Sequence, residues 1–566
     1  MINNYKNDNF SFYCTNIDNY LSKLIDKEVE GWVYNPNIEF LNEIGVKEQG
    51  FGTKQEAYEF FSQLYEKGVI YLEEYLKKYF PISILSESLT FLIPLNLLSL
   101  ANANGELNFN LRLMETFPKI WNNIKTSNKY NRVAQTTISG HLGIKKKSLD
   151  IIVNLILFRL NQIKLNENDN SLQVINSKEF LKAISIAEEV AMIYNFFQII
   201  SKENQNTFSL DTVLIENGKI KYPKAQKFGL DLLINATGKD YLHSISESKK
   251  EEVYKLYEKN LGISSSRVIN TFINCFSSKD LLNKVEKLNH SIFIKSKTEL
   301  KKLVNLSQNT LTIKGLLLLI DNNMCLEYKG QDKYKFIFDN NEKISRKGLV
   351  KIEGNYYYNF GTIMSYAEIL SQNILNQDFL KELKVSDKEI STFMANQYNE
   401  IWLAELKENL NKQGIWCEIQ INNLEQCLVF PKQVRATKEI DFLLFDTQKN
   451  HLLIGEYKNW QDVSFSYPNV NKEQDKIKKN IIKHKELLTI LNSNKTDFLR
   501  LLNLDIDDAE IKLIYVFENR NVLSNSNIEG YDSYYNSGEI SCYSRVEFEK
   551  YVEVNKPNLL RMNKAL

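Results

Sequence analysis

Two apolar runs separated by four polar residues, FLLFD at 442–446 and HLLIGEYK at 451–458, restrict what the C-terminal third of this chain can become. Each run has the length of a strand, and a connection of about four residues is a common hairpin length. Paired antiparallel across residues 447–450, the runs acquire one register: Asp446 faces His451, and Asp441 comes opposite Glu456. Opposite residues share a face of the sheet with Cβ atoms roughly 4.5–5.5 Å apart. Lys458, two residues beyond Glu456, joins the same face, while Tyr457 turns to the other. Two carboxylates placed directly opposite destabilise a hairpin unless something positive lies between them, and a divalent cation meets that need. Gly455, without a side chain, would let a ligand or neighbouring strand come close.

At 566 residues the chain exceeds one ordinary core, and about 150 residues per domain suggests three or four units. From about 54 to 300 the apolar residues recur mostly at helical spacing, as in KEFLKAISIAEEVAMIYNFFQIIS at 178–201, so residues 1–305 are expected to be mainly α-helical. The texture then changes. LTIKGLLLLI, CLEYKG, YKFIFD and LVKIEGNYYYNF are short apolar or aromatic runs broken by Asn, Asp and Gly, which predicts a small β-rich segment with a connecting helix over 306–384. A C-terminal α/β domain is expected over 385–566.

Within the helical region, TTISGHLGIKKKSLDIIVN, near 135–154, has the spacing of a helix-turn-helix, with Leu142-Gly143-Ile144 at the turn. Lys145, Lys146 and Lys147 would then open a second helix near DNA phosphates. Such turns also join packed helices in proteins that never touch DNA.

Asp441 followed by Glu456-Tyr457-Lys458 is a D…E-x-K pattern, and over about residues 387–520 the chain resembles the PD-(D/E)XK nuclease superfamily, the restriction-endonuclease-like fold. The order agrees with that family's αβββαβ core: a helix over 387–414, strands IWCEIQI, EIDFLLFD and LLIGEYK, a helix at 471–491, and the strand IKLIYVF. The resemblance implies that Asp441 and Glu456 bind Mg²⁺ or Mn²⁺, with the carbonyl of Tyr457 as a further ligand, and that Lys458 positions or activates the attacking water. Hard oxygen ligands suit Mg²⁺, and an ammonium beside the site stabilises charge developing at phosphorus. The family's first-helix glutamate matches Glu400, with Glu405 as the rival, and Gln474 takes the place of an accessory polar residue on the second helix. Ile440 stands where the motif has proline. Lys472, Lys476, Lys479 and Lys483 form a stripe on the second helix that would follow a phosphate backbone or merely keep a solvated face. His484 falls on the apolar side of that helix and reads as a packed residue.

Composition narrows the rest. Lys+Arg 71 against Asp+Glu 70 leaves a formal net charge of +1, so nucleic-acid contact needs local patches. The six cysteines are scattered without a C-x-x-C pair, which disfavours a zinc knuckle or disulfide framework and fits a reducing cytoplasm. The N-terminus lacks a secretory pattern, and LTFLIPLNLLSLA at 89–101 falls short of the roughly 20 residues that cross a bilayer. Phosphate-loop, dinucleotide and nucleophile-elbow motifs are missing, so any energy input would come from a partner. The expectation is a cytoplasmic, metal-dependent endonuclease, a phosphodiester hydrolase acting on DNA. Its helical N-terminal region would serve a homodimer or a protein partner, and bacterial defence against foreign DNA would be the setting by analogy. The rival is a non-catalytic scaffold that binds nucleic acid or protein on a decayed nuclease fold.

Overall fold

The computed structural model describes residues 9–25, 37–47, 49–103, 116–127, 132–162, 172–205, 214–216, 219–221, 247–263, 293–306, 312–339, 342–374, 379–395, 401–422, 424, 428, 439–458, 480, 483–502, 504, 509–517 and 540–561. The chain divides into two compact units, residues 1–226 with 250–390, and residues 227–249 with 391–566. The first is rich in helix and the second is α/β.

In the first unit, long helices Lys54–Lys77, Pro81–Ala103, Arg132–Gln162 and Ser177–Gln205 share one apolar core through Phe61, Leu72, Leu92, Ile152, Phe180 and Val190. Helix Pro81–Ala103 is longer than the apolar run at 89–101, beginning eight residues before it and passing through Pro94. Residues 81–99 are long and apolar enough to cross a membrane, but 78% of that window is buried inside the protein, as in a core helix.

The segment expected as a separate β-rich piece over 306–384 packs into this same core, contributing Leu326, Phe336, Ile337, Val350 and Tyr357. Two polar residues of helix Arg132–Gln162 hold it there. The buried Asn154 amide donates to the carbonyls of Phe336 (3.0 Å) and Glu342 (2.7 Å), and Asp150 accepts from the Ser345 N–H (3.0 Å) and Oγ (2.9 Å). Two of its expected strands are helices. KGLLLL lies in helix Ile313–Leu319, begun by Thr312 accepting from Gly315 N at 3.1 Å, and KYKFI is helix Lys333–Ile337, begun by Asp332 accepting from Lys335 N at 2.9 Å. N-capping side chains and burial of one face override the strand-like composition.

Real strands remain, and they are short. Besides the hairpin β1 (Leu214–Glu216) and β2 (Lys219–Lys221), the unit holds β3 (Phe293–Ser296), β4 (Cys325–Leu326), β5 (Leu349–Ile352) and β6 (Asn355–Tyr358) in a sheet of order β3-β6-β5-β4. Glu353 and Gly354, at φ +48° and +82°, turn β5 into β6, the left-handed pair that a two-residue hairpin requires.

The helix-turn-helix expected at 135–154 is not formed, since helix Arg132–Gln162 runs through it without a break. Gly143 has no left-handed φ to make a turn. Lys145 is buried and pairs with Glu188 at 2.5 Å, its ammonium 4.3 Å from the Tyr20 ring centroid. Lys147 meets Asn195 Oδ1 and lies 5.3 Å from the Tyr194 ring centroid. Both lysines therefore bind the neighbouring helix Ser177–Gln205 within the protein.

The second unit is built on a five-stranded sheet of β7 (Glu418–Ile421), β8 (Ile440–Asp446), β9 (His451–Lys458), β10 (Glu510–Phe517) and β11 (Ile540–Ser544), in the order β11-β10-β9-β8-β7. β7, β8 and β9 form an antiparallel meander, and β10 and β11 add parallel to β9. Helices Ile401–Lys412 and Arg545–Asn555 cover one face, where Trp402, Leu406, Phe442, Tyr457, Val516 and Phe548 make the core. Gly414, at φ +71°, closes the first of these helices. The stretch 483–493 is helical as well and meets the sheet through His484 on Tyr515. The first helix expected over 387–414 is described as Lys388–Ala395 and Ile401–Lys412.

Candidate active site

The β8–β9 hairpin has the register its sequence predicts, with Phe442 opposite Gly455 and Asp446 opposite His451. Asp446 fixes the turn. Its Oδ1 accepts from the N–H groups of Gln448 and Lys449, both at 3.0 Å, and Asn450 takes the left-handed φ of +56° that reverses the chain. One step past Phe442 and Gly455, Asp441 Oδ2 accepts from the Tyr457 backbone N–H at 2.7 Å. The carboxylate thus takes a donor from β9 at the end of the β8–β9 ladder and is tied to the residue that follows Glu456.

Glu456 is the centre of the cluster. Lys458 Nζ is bound to its Oε1, and His484 Nε2 lies 3.3 Å from its Oε2. Tyr515 is the register partner of Glu456 on β10 and places its hydroxyl 2.6 Å from His484 Nδ1, which also lies 2.9 Å from the Asn480 carbonyl oxygen. The side chains of Glu456 and His484 are 12% and 5% exposed, so these contacts are made largely out of water. His484 is packed as its position on the helix suggests, yet it is also a polar member of this cluster. A single sequence offers no signal for that, because strand pairing of β9 with β10 and docking of the helix bring it there.

The electrostatics of the two acids differ. Burial, and then the charge of Glu456, push the Asp441 carboxyl well above the ordinary carboxylate range; the Tyr457 N–H, Lys458 and His484 oppose this without cancelling it. Burial also pushes Glu456 up, but His484 and Lys458 outweigh it and hold that carboxyl below its usual value. Two carboxylates side by side with one kept ionised and the other pressed towards its protonated form are a pair short of positive charge. That is the environment a hard divalent ion would relieve, and the oxygen donor set is of the right kind for Mg²⁺ or Mn²⁺. The oxygen donors that the cluster brings together are the two carboxylates of Asp441 and Glu456. Among the described residues no group of three or more His, Cys, Asp and Glu side chains gathers as a metal site.

The opposite face of the hairpin is occupied by packing. Trp402 stacks on Tyr457 with ring centroids 4.4 Å apart, and Phe442 lies 5.8 Å from Trp402 and 5.2 Å from Phe548. The absence of a side chain at Gly455 serves this core and not a ligand, since a Cβ there would stand 2.0 Å from Phe442 Cζ. Glu405, the rival to Glu400, is exposed and lies 3.6 Å from Arg545. Glu400 and Gln474 lie outside the described residues, as do Lys472, Lys476 and Lys479; Lys483 is exposed. The chain matches no family model, no curated protein and no solved structure.

Proposed function

We propose that the C-terminal unit is a PD-(D/E)XK-type endonuclease that hydrolyses DNA phosphodiesters with Mg²⁺ or Mn²⁺ in the cytoplasm. One observation carries this reading. Asp441 hydrogen-bonds to β9 beside Glu456, Glu456 binds Lys458, and burial followed by the charge of Glu456 keeps the Asp441 carboxyl raised. The mixed sheet, with its antiparallel meander followed by a parallel strand, is compatible with the αβββαβ order of that fold.

In this mechanism Asp441 and Glu456 would hold the ion, with the Tyr457 carbonyl as the further ligand the resemblance implies. The ion would supply Lewis-acid polarisation of a phosphoryl oxygen and a more acidic water. Glu456 keeps the Lys458 ammonium at the site, where it stabilises negative charge on the pentavalent phosphorus and orients the attacking water. Tyr457 contributes backbone only, its ring being stacked on Trp402. The helical unit is proposed to bind a partner or a second copy, and defence against foreign DNA is the proposed setting. Unchanged phage plating and plasmid maintenance on expression would remove that setting.

The test is cleavage of supercoiled plasmid, linear duplex, single-stranded DNA and RNA with Mg²⁺, Mn²⁺ or EDTA. Metal-dependent cutting of DNA is expected. Lys458→Ala should lower turnover about 10²–10³-fold, the loss seen when one preorganised donor at developing charge is removed. Asp441→Asn should lower it at least as much, with both variants folded by circular dichroism. Cutting by Asp441→Asn at the wild-type rate would refute the assignment.

A second reading is a scaffold in which Asp441, Glu456, Lys458 and His484 form a self-contained ion network. It is favoured by one feature, the side-chain nitrogen already present at each Glu456 oxygen. Lack of both metal-dependent cutting and Mn²⁺ binding by the wild-type protein would select it.

A further inference from the structure

We propose that His484 is a positioning residue for Glu456, pinning Oε2 so that Oε1 is the oxygen exchanged between Lys458 and a divalent cation. The inference rests on the metal-site reading above and deepens it. Three observations support it. His484 is buried, and its Nε2 stands 3.3 Å from Glu456 Oε2. Its other nitrogen is held from two sides, by the Tyr515 hydroxyl at 2.6 Å and the Asn480 carbonyl at 2.9 Å. The edge of its ring meets the Tyr515 ring at 87°, so the imidazole plane is fixed by packing as well.

With the Tyr515 hydroxyl, the closer of the two partners, donating to Nδ1, the neutral ring carries its proton on Nε2 and presents a donor to Oε2. The consequence follows from the Glu side chain itself. Its terminal torsion is broad and roughly two-fold, so a carboxylate held at one oxygen only would turn. Held at Oε2 by His484, it can offer Oε1 alone. In the described geometry Lys458 occupies that oxygen. Cation binding at Oε1 would release the Lys458 ammonium towards substrate without moving Glu456. Partners that orient a ligating carboxylate typically change metal affinity by about 10–100-fold when removed.

The experiment uses the full chain and Mn²⁺ alone, with free Mn²⁺ followed by electron paramagnetic resonance and folding checked by thermal unfolding. His484→Leu is expected to weaken Mn²⁺ binding about 10–100-fold. His484→Gln, whose amide can again donate to Oε2, should recover most of the loss, which a merely space-filling role would not produce. Should His484→Leu fail to fold, Tyr515→Phe removes only the hydroxyl at Nδ1 and should weaken binding by a smaller, measurable factor. Wild-type affinity in His484→Leu, or in Tyr515→Phe where that variant stands in, alongside lost binding in Glu456→Gln, overturns the role of His484 and leaves the metal site standing. Absence of Mn²⁺ binding in the wild-type protein overturns both.

Discussion

Lys145→Glu is expected to destabilise the helical unit by about 3–5 kcal/mol, the range for breaking a buried ion pair and leaving one charge uncompensated. Lys145 and Glu188 have side chains only 9% and 19% exposed, with Nζ 2.5 Å from Oε1. Reversal sets two carboxylates against each other there and removes the ammonium lying 4.3 Å from the Tyr20 ring centroid. The denaturant midpoint of this unit should fall accordingly, and the exchanged pair Lys145→Glu with Glu188→Lys should regain part of the loss. A midpoint equal to wild type would show that the pair contributes nothing. The prediction also changes how basic-residue substitutions here are read. Weaker DNA binding after charge reversal at 145–147 would report damaged packing before it reported a lost phosphate contact.

Gly455→Ala should destabilise the C-terminal unit by about 1–3 kcal/mol, the usual magnitude for overpacking a well-filled core. The new Cβ would meet Phe442 at 2.0 Å, and that ring is itself confined by Trp402 and Phe548. Because the clash is with a side chain, it is reversible by design. Phe442→Leu alone should be destabilising, and combining it with Gly455→Ala should be less harmful than the sum of the two changes. A double-mutant cycle in denaturant measures this coupling, and strict additivity would show that the two residues do not compete for the space. Gly455 precedes Glu456, so reduced Mn²⁺ binding should accompany the instability of Gly455→Ala.

The parts of this molecule that were legible in its sequence share one property: a local pattern has a single geometric solution. The hairpin is the clearest case. Strand length, a four-residue connection and alternation place Asp441 beside Glu456 with Lys458 on the same face, and the observed pairing of Phe442 with Gly455 carries that register. Long apolar periodicity likewise predicts the helices of the N-terminal region. Local patterns failed where two structures satisfy them equally. Leu142-Gly143-Ile144 suits a turn or a continuous helix, and the burial of Leu142 and Leu149 in one core is compatible with the helix that forms. YKFIF suits a strand or a helix, and the Asp332 cap with burial of Phe336 and Ile337 selects helix.

The sequence by itself determined which face of one hairpin carries acid, acid and lysine, because side-chain alternation and turn length leave one register. Only the tertiary structure decided what surrounds them. Tyr515 reaches Glu456 by parallel pairing of strands more than fifty residues apart in the chain, and His484 reaches it from a helix docked on the sheet. Such neighbours are set by how whole elements pack and not by any spacing within them. Packing also assigned Gly455 to the Phe442 ring and Lys145 to Glu188, since a position that looks open or charged in sequence is filled or neutralised by whatever the core brings against it.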